Sequence, residues 1–168
     1  MKILGLLAIS LLFSTQAFPF ANIDDAQWEG EGVITTAGGT YKVAANFSIL
    51  ATRDVKSEKF VSGGFAGKDI GIGTFEFWAN FSDEENFKVL EPAKKWYGDG
   101  YIEVGDGMCA YVETVGNVCR YTRLSSGSAI SEMLIFEDDG DLIRNGRAVS
   151  TSGSQRVDYK LVLHPKKF

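Results

Sequence analysis

The sequence predicts an all-β domain, an antiparallel up-and-down β-barrel of about ten strands, with a β-sandwich as the alternative. Two observations lead to this prediction. Apolar and polar residues alternate with a period of two along several segments, and glycine-containing turn sequences separate these segments at regular spacing. Because neighbouring side chains of a strand point to opposite faces, a segment of this kind has one buried and one solvated face.

The alternation is clearest in residues 40–51, 73–81 and 155–163. Residues 129–137 carry apolar side chains on both faces, which predicts a strand buried on both sides. The apolar faces of the three alternating segments consist of Tyr41, Val43, Ala45, Phe47 and Ile49, then Phe75, Phe77, Ala79 and Phe81, then Val157, Tyr159, Leu161 and Leu163.

Turn sequences set the limits of the predicted strands. Gly38-Gly39 and Asp139-Gly140 favour tight hairpin turns, and Gly153-Ser154 precedes the last strand. Residues 86–91 stay open between a strand and a short helix, because Ser82-Asp-Glu-Glu85 has the spacing of a helix capping box. We predict strands near 27–35, 40–51, 57–63, 71–81, 86–91, 100–105, 108–114, 117–124, 129–137, 141–149 and 155–163.

The N-terminal residues 1–17 have the features of a secretory signal peptide. Met1-Lys2 gives a positive start, and residues 3–13 form an uncharged, mostly apolar run. That run is shorter than the roughly 20 residues that a membrane-spanning helix needs. We therefore expect cleavage after Ala17, a single domain over 18–168, no transmembrane segment thereafter, and a secreted or periplasmic location.

Composition limits the classes of partner. Hydrophobic residues make up 45% of the 168 residues and charged residues 23%, the balance of a soluble globular protein. The formal net charge is −5 at pH 7, and the basic pairs Lys94-Lys95 and Lys166-Lys167 are far apart in the sequence. An acidic protein with no basic stripe repels phosphate backbones, so we expect no nucleic-acid partner.

The two cysteines predict a disulfide. Cys109 and Cys119 flank nine residues, and the Val115-Gly116-Asn117 sequence near the middle predicts a hairpin that brings them together. Facing residues of two antiparallel strands lie within disulfide reach, and an exported chain meets an oxidising environment. Because the glycine is off the midpoint, direct opposition calls for a bulge or a longer turn.

The sequence contains no catalytic signature. The single histidine, His164, lies on the solvated face of the last predicted strand, and residues 137–141 are an acidic sequence typical of a solvated hairpin turn. Glu76 and Glu103 have apolar neighbours on both sides and Glu132 on one, which leaves an acid–base pair inside a barrel as a remote alternative. We expect no enzyme activity, no bound metal and no cofactor.

The sequence Trp28-Glu-Gly30-Glu-Gly32-Val33, followed by a glycine turn and the alternating strand at Tyr41, resembles the first hairpin of calycin barrels. These are the lipocalin and fatty-acid-binding families and the bacterial lipocalin-like proteins. Lipocalins carry a Gly-x-Trp signature, whereas the order here is Trp-x-Gly. The resemblance implies that Trp28 closes one end of the barrel and that the interior holds a small apolar molecule.

We therefore expect an exported binding protein for a small hydrophobic ligand. A structural or protein-interaction module of the cell envelope or extracellular space is the alternative, because the same aromatic residues can fill a solid core. The candidates for the cavity wall are Trp28, Val43, Phe47, Phe75, Phe77, Tyr159 and Leu161.

Overall fold

Ten antiparallel strands form a closed barrel in the computed structural model of the protein, which describes residues 20–52, 57–93, 100–125 and 127–166. Each strand pairs with its neighbours in sequence, and the first strand closes the barrel by pairing with the tenth. The predicted up-and-down barrel is confirmed, and the sandwich alternative is wrong. The predicted signal peptide lies outside the described residues. Within the described residues, no helix has the length and apolar character to cross a bilayer.

The strands are numbered in chain order and follow a 3-10 turn, η1, at Phe20–Asn22. They are β1 (Ala26–Thr36), β2 (Gly39–Ala51), β3 (Glu58–Gly67), β4 (Gly71–Phe81), β5 (Asn86–Pro92), β6 (Tyr101–Val112), β7 (Gly116–Ser125), β8 (Ser128–Phe136), β9 (Leu142–Ser150) and β10 (Arg156–Pro165).

Two predictions near the middle of the chain are resolved by strand pairing. Residues 86–92 form a strand, because they pair with β4 on one side and β6 on the other. The separate strands predicted at 100–105 and 108–114 are wrong, since both belong to the continuous strand β6. An irregularity in the β5–β6 register between Val89 and Leu90 absorbs the extra residue.

Aromatic side chains fill one end of the barrel, which we call the closed end. Phe20 of η1 is fully buried, and its ring centroid lies 5.3 Å from Phe81, 5.6 Å from Phe87 and 5.7 Å from Phe136. The buried Lys59 ammonium pairs with Asp24 at 2.5 Å, just after η1. The segment that precedes β1 is thus fixed across this end by both packing and charge.

Inward-facing glycines make room for rings on the neighbouring strands. A Cβ atom at Gly146 would lie 2.0 Å from the Tyr159 ring, and one at Gly107 would lie 2.1 Å from the Phe87 ring. Strand glycines often mark such close approaches, and a ring from the next strand then covers the bare backbone. The Tyr159 and Phe87 rings therefore pack directly against the backbone of Gly146 and Gly107.

The disulfide predicted from the sequence is present within the β6–β7 hairpin. Cys109 and Cys119 are buried and directly opposed, with Cα atoms 4.0 Å apart. The longer turn that we expected is present, because three residues, 113–115, separate the paired Val112 and Gly116, and Gly116 has a φ of +101°. The Val115 N–H donates to the Val112 carbonyl at 2.8 Å and closes the turn.

We expect removal of this disulfide in the double variant Cys109→Ser/Cys119→Ser to lower the free energy of unfolding by roughly 3 kcal/mol, because the bond restricts the unfolded chain. Urea unfolding followed by tyrosine and tryptophan fluorescence measures the change. Reduced wild-type protein is the matched control and should unfold with the double variant. A variant as stable as the oxidised wild type would contradict the expectation.

Candidate functional site

A cavity of about 240 Å³ occupies the half of the barrel opposite the closed end. Strands β1, β3, β4 and β7 to β10 contribute its walls. Most of the lining is apolar or aromatic, with two arginines and one glutamate among it, which is the usual composition of a small-molecule site. The lining residues are Ile34, Gly64, Phe65, Gly73, Thr74, Phe75, Arg123, Ile130, Glu132, Arg144, Ala148, Val157, Tyr159 and Leu161.

The cavity continues towards the surface at the end away from η1, which we call the mouth. A depression of about 620 Å³ at the mouth shares Phe75, Arg123 and Ala148 with the cavity and adds Glu91 and Ser128. A further shallow depression of about 640 Å³ lies mainly over the outer faces of β2, β3 and β4. It forms there because many of the side chains on this surface are small. Of these three spaces, the interior cavity is the most enclosed, and charged side chains are part of its lining.

A buried ion pair lies at the inner end of the cavity. The Arg144 Nε donates to the Glu132 carboxylate at 2.6 Å, and the side chains are only 4% and 2% exposed. The Tyr121 hydroxyl donates to the other oxygen of the same carboxylate. The Glu132 carboxylate therefore exchanges its lost hydration for two strong hydrogen bonds, as a buried charge requires.

Aromatic rings cover both interior guanidinium groups. The Arg144 Cζ lies 4.6 Å from the Phe75 ring centroid and 4.9 Å from that of Phe47. The Arg123 Cζ lies 5.5 Å from the same Phe75 ring and 5.4 Å from Phe77. Cations over ring faces gain most where water is excluded, so the rings offset part of the cost of burying these charges.

Arg123 is less completely partnered than Arg144. Its Nη1 donates to Glu91 at 2.9 Å, and the Glu91 side chain at the mouth is 21% exposed whereas that of Arg123 is 5% exposed. Among the side chains that the structure describes, the Arg123 Nε is the one buried nitrogen or oxygen without a hydrogen-bond partner. A buried donor without an acceptor costs free energy, and such groups are uncommon in folded proteins.

Burial and the Glu132 charge together shift the ionisation of the surrounding groups. Both raise the pKa of Tyr121 well above its ordinary value, with burial the larger cause. The same two causes raise the pKa of Tyr159. Burial alone would lower the pKa of Arg144, but the adjacent Glu132 carboxylate reverses this and the pKa is raised. At neutral pH the two phenols are hydrogen-bonding groups and the guanidinium is charged.

Strand register brings these groups together. Tyr121 of β7 is directly opposite Glu132 of β8. On the other side of Glu132, Gly146 of β9 is directly opposite it, and Arg144 of β9 is diagonal to it. In β7 the inward side chains are Cys119, Tyr121 and Arg123, two residues apart. The polar cluster is therefore a consequence of the same period-two geometry that buries the apolar residues.

The predicted wall residues are all buried or half-buried, but only some of them line the cavity, and the others lie in the packed core. Phe75, Tyr159 and Leu161 line the cavity. Trp28, Val43, Phe47 and Phe77 are absent from that lining and belong to the buried core. Trp28 packs against Phe136 at a centroid distance of 5.7 Å and donates its indole N–H to the Gly140 carbonyl at 2.9 Å, near the closed end.

Of the charged residues of the site, sequence reasoning considered only Glu132 and missed both arginines. Of the three glutamates considered for an interior position, Glu132 is buried, whereas Glu76 and Glu103 are exposed on the outer face, where Glu103 pairs with Lys88 at 2.9 Å. The alternation would have identified both arginines as inward-facing. Arg123 lies two residues after the buried Tyr121, and Arg144 lies two residues after the buried Leu142. A positive charge on an apolar face is the pattern that was missed.

The polar groups near the closed end form a cluster at the surface, in which Glu137 and Asp141 are half-buried and Asp139 and His164 are exposed. His164 is on the solvated face of β10, and its Nδ1 lies 2.9 Å from the Asp141 carboxylate. The carboxylates of Glu137, Asp139 and Asp141 lie within 4.8 Å of one another in the β8–β9 turn. The Asp141 N–H donates to Asp139 at 3.1 Å, so Asp139 stabilises the turn.

Comparisons with known proteins identify no family. No protein-family model and no curated protein matches the chain. Among solved structures, the chain is similar to a structural-genomics protein of unknown function from Bacteroides ovatus, with 10% sequence identity and a TM-score of 0.36. The match covers 83% of this chain and 40% of the other, so the chain spans less than half the length of that protein.

We expect Glu132→Gln to lower the free energy of unfolding by about 3–5 kcal/mol, because it leaves the Arg144 charge buried without its counter-ion. Replacing both partners in Glu132→Gln/Arg144→Met should cost less than the single change, since no unpaired charge remains. Glu76→Gln, on the outer face of β4, is the control and should be close to neutral. Denaturant unfolding measures all three, and a Glu132→Gln protein as stable as Glu76→Gln would contradict the assignment.

We expect the stability of the protein to fall as the pH rises above about 10, the pKa of an exposed phenol. Tyr121 and Tyr159 ionise in the unfolded chain near that pH but keep their protons in the folded barrel, so their contribution is complete below it and is lost above it.

Alkaline titration of tyrosinate absorbance tests this expectation. Of the six tyrosines, Tyr121 and Tyr159 should titrate only when the protein unfolds. The variant Tyr121→Phe/Tyr159→Phe should therefore match the folded wild type in its titration amplitude and show a smaller amplitude in denaturant. Loss of amplitude in the folded variant would show that these phenols ionise normally.

Proposed function

We propose that this protein is an exported, non-catalytic binding protein that holds one small, largely apolar molecule inside its barrel. The observation that carries the proposal is the enclosed cavity of about 240 Å³ lined by Phe65, Phe75, Tyr159 and other mainly apolar side chains. Its size is just below the range of about 300–1,000 Å³ that is typical of small-molecule sites, so the ligand is compact.

The architecture supports enclosure of a ligand. Barrels of eight strands have interiors that side chains just fill or that hold one small molecule, and width grows with strand number. The ten-stranded barrel here is filled by rings at its closed end and by the Glu132–Arg144 pair at mid-height, which leaves space towards the mouth. The resemblance of the first hairpin to calycin barrels supports the same function.

The disulfide supports an extracellular or periplasmic location. Disulfides persist in oxidising compartments and are rare in reducing ones. Cys109 and Cys119 are joined deep in the barrel wall, and the N-terminal residues 1–17 have the composition of a signal peptide. The proposed location is therefore outside the cytoplasm.

A function as a protein-interaction module is the second candidate. A row of apolar side chains crosses the outer faces of β3, β4 and β6, with Phe60 and Trp78 centroids 5.0 Å apart and Trp78 and Tyr101 centroids 5.7 Å apart. Tyr101 is 56% exposed. Exposed apolar surface of this kind is common at protein interfaces, and a ligand-free barrel that self-associates through this row would favour the second function.

Filling the cavity tests the proposed function. We expect Ala148→Phe, at the cavity wall, to weaken binding of the neutral probe 2-naphthamide by about tenfold or more, because the added ring takes the space of the ligand. Ala129→Phe is the matched control, since Ala129 is exposed on the outer face of the neighbouring strand β8. Isothermal titration calorimetry measures the affinities.

The outcome separates the cavity from the surface. Wild-type protein that binds no naphthalene probe, neutral or anionic, would overturn the proposal. Equal loss in the Ala148→Phe and Ala129→Phe variants would place the probe outside the cavity.

A further inference from the structure

We propose that the cavity selects a compact anion, an apolar body with one carboxylate or similar acidic group, and that Arg123 is the residue that binds the acidic group. The inference rests on the proposed function, because it names the class of ligand that the same cavity takes. It is carried by the charges and the unmet hydrogen bonding of the described residues.

The charges that line the cavity do not balance. The charged residues of its lining are Arg123, Arg144 and Glu132, which gives two positive groups and one negative group. The Glu132 carboxylate forms the ion pair with Arg144 and accepts a hydrogen bond from the Tyr121 hydroxyl, so it is not the counter-ion of Arg123. Arg123 therefore has no counter-ion within the cavity lining, and its partner Glu91 lies outside that lining, at the mouth.

Glu91 compensates Arg123 only in part. The Glu91 carboxylate binds one guanidinium nitrogen from the mouth and is more exposed than Arg123. Water screens the attraction of a partly exposed charge, so this pair is weaker than the enclosed Glu132–Arg144 pair. The Arg123 Nε remains without an acceptor. A guanidinium in this state has both charge and donors to offer to a second anionic oxygen.

The position of Arg123 suits an anchoring group. It lines both the cavity and the depression at the mouth, so a molecule that enters from the mouth meets the guanidinium before it reaches the Glu132–Arg144 pair. The Phe75 and Phe77 rings hold the guanidinium from one side. The apolar residues Ile34, Val157 and Leu161 line the same cavity on β1 and β10 and would cover the body of the ligand.

The direct test compares two probes of the same size and shape, 2-naphthoate and 2-naphthamide, which differ by one negative charge at neutral pH. We expect wild-type protein to bind the naphthoate about tenfold more tightly or better, the gain typical of one charge-assisted hydrogen bond. Calorimetry gives both affinities. Equal affinities would overturn the anion preference and leave the proposed binding function standing, whereas binding of neither probe would overturn both.

Three variants test the role of Arg123. Arg123→Met should reduce the ratio of naphthoate to naphthamide affinity to about one, because the charge and donors are gone while the side-chain length is kept. Arg120→Met is the control, since Arg120 is exposed on the outer face of the same strand, and it should keep the wild-type ratio. An unchanged ratio in Arg123→Met would overturn the assignment.

The variant Glu91→Gln gives an effect of the opposite sign. Loss of the Glu91 charge releases Arg123, so naphthoate binding should tighten by up to about tenfold while naphthamide binding changes little. Partial unfolding weakens binding, so it cannot explain a gain in naphthoate affinity. The Glu91→Gln variant therefore tests the role of Arg123 even if the Arg123→Met variant folds poorly. Weaker naphthoate binding in Glu91→Gln would contradict the proposal.

Discussion

The interior of this barrel depends on the ion pair between Glu132 and Arg144. Removing a carboxylate and a guanidinium from water costs several kcal/mol for each, and mutual attraction recovers this only where the geometry is good and the remaining donors and acceptors are met. The Tyr121 hydroxyl supplies a further hydrogen bond, and the Phe47 and Phe75 rings cover the guanidinium. The positions of Tyr121, Phe47 and Phe75 therefore depend on their contacts with this buried ion pair as well as on hydrophobic burial.

The ion pair also explains why the barrel is filled at one end and hollow towards the other. At the closed end, Phe20 packs edge to face on Phe81 and Phe87, and these two rings are tilted against each other, so little space is left. At the level of Glu132 and Arg144 the side chains are fixed by hydrogen bonds, so they cannot move to close a gap above them. The space beyond is bounded by small residues, including Gly73 and Ala148, and persists as the cavity.

Alternation and regularly spaced turn sequences together predicted most of the strands and the barrel, and the spacing of the two cysteines around a turn predicted the disulfide. The prediction failed in β6, which it divided into two strands, at 100–105 and 108–114, around Gly105 and Gly107. These glycines lie within a paired strand, and Gly107 leaves room for the Phe87 ring. A glycine that accepts a ring from the next strand cannot be distinguished from a turn glycine without knowing the register.

The candidate site was predicted only in its apolar part for a related reason. Phe75, Tyr159 and Leu161 are apparent from a single strand, whereas the meaning of Glu132 and Arg144 depends on a contact between strands, 12 residues apart in sequence. Alternation alone places Arg123 on the apolar face of β7, beside Tyr121. The role that we propose for it depends on the exposure of Glu91 and on the unpartnered Nε, which the sequence does not show.

The negative net charge of the chain does not conflict with a positive group in the cavity. Charges on the outer surface act on a ligand through water and salt, which screen them beyond about 8–10 Å. Arg123 acts at contact distance in an enclosed space of lower polarity, where the same unit charge has a several-fold larger effect. Under the proposed function, surface charge affects how fast an anion approaches the mouth, and the buried guanidinium affects how tightly the anion is held.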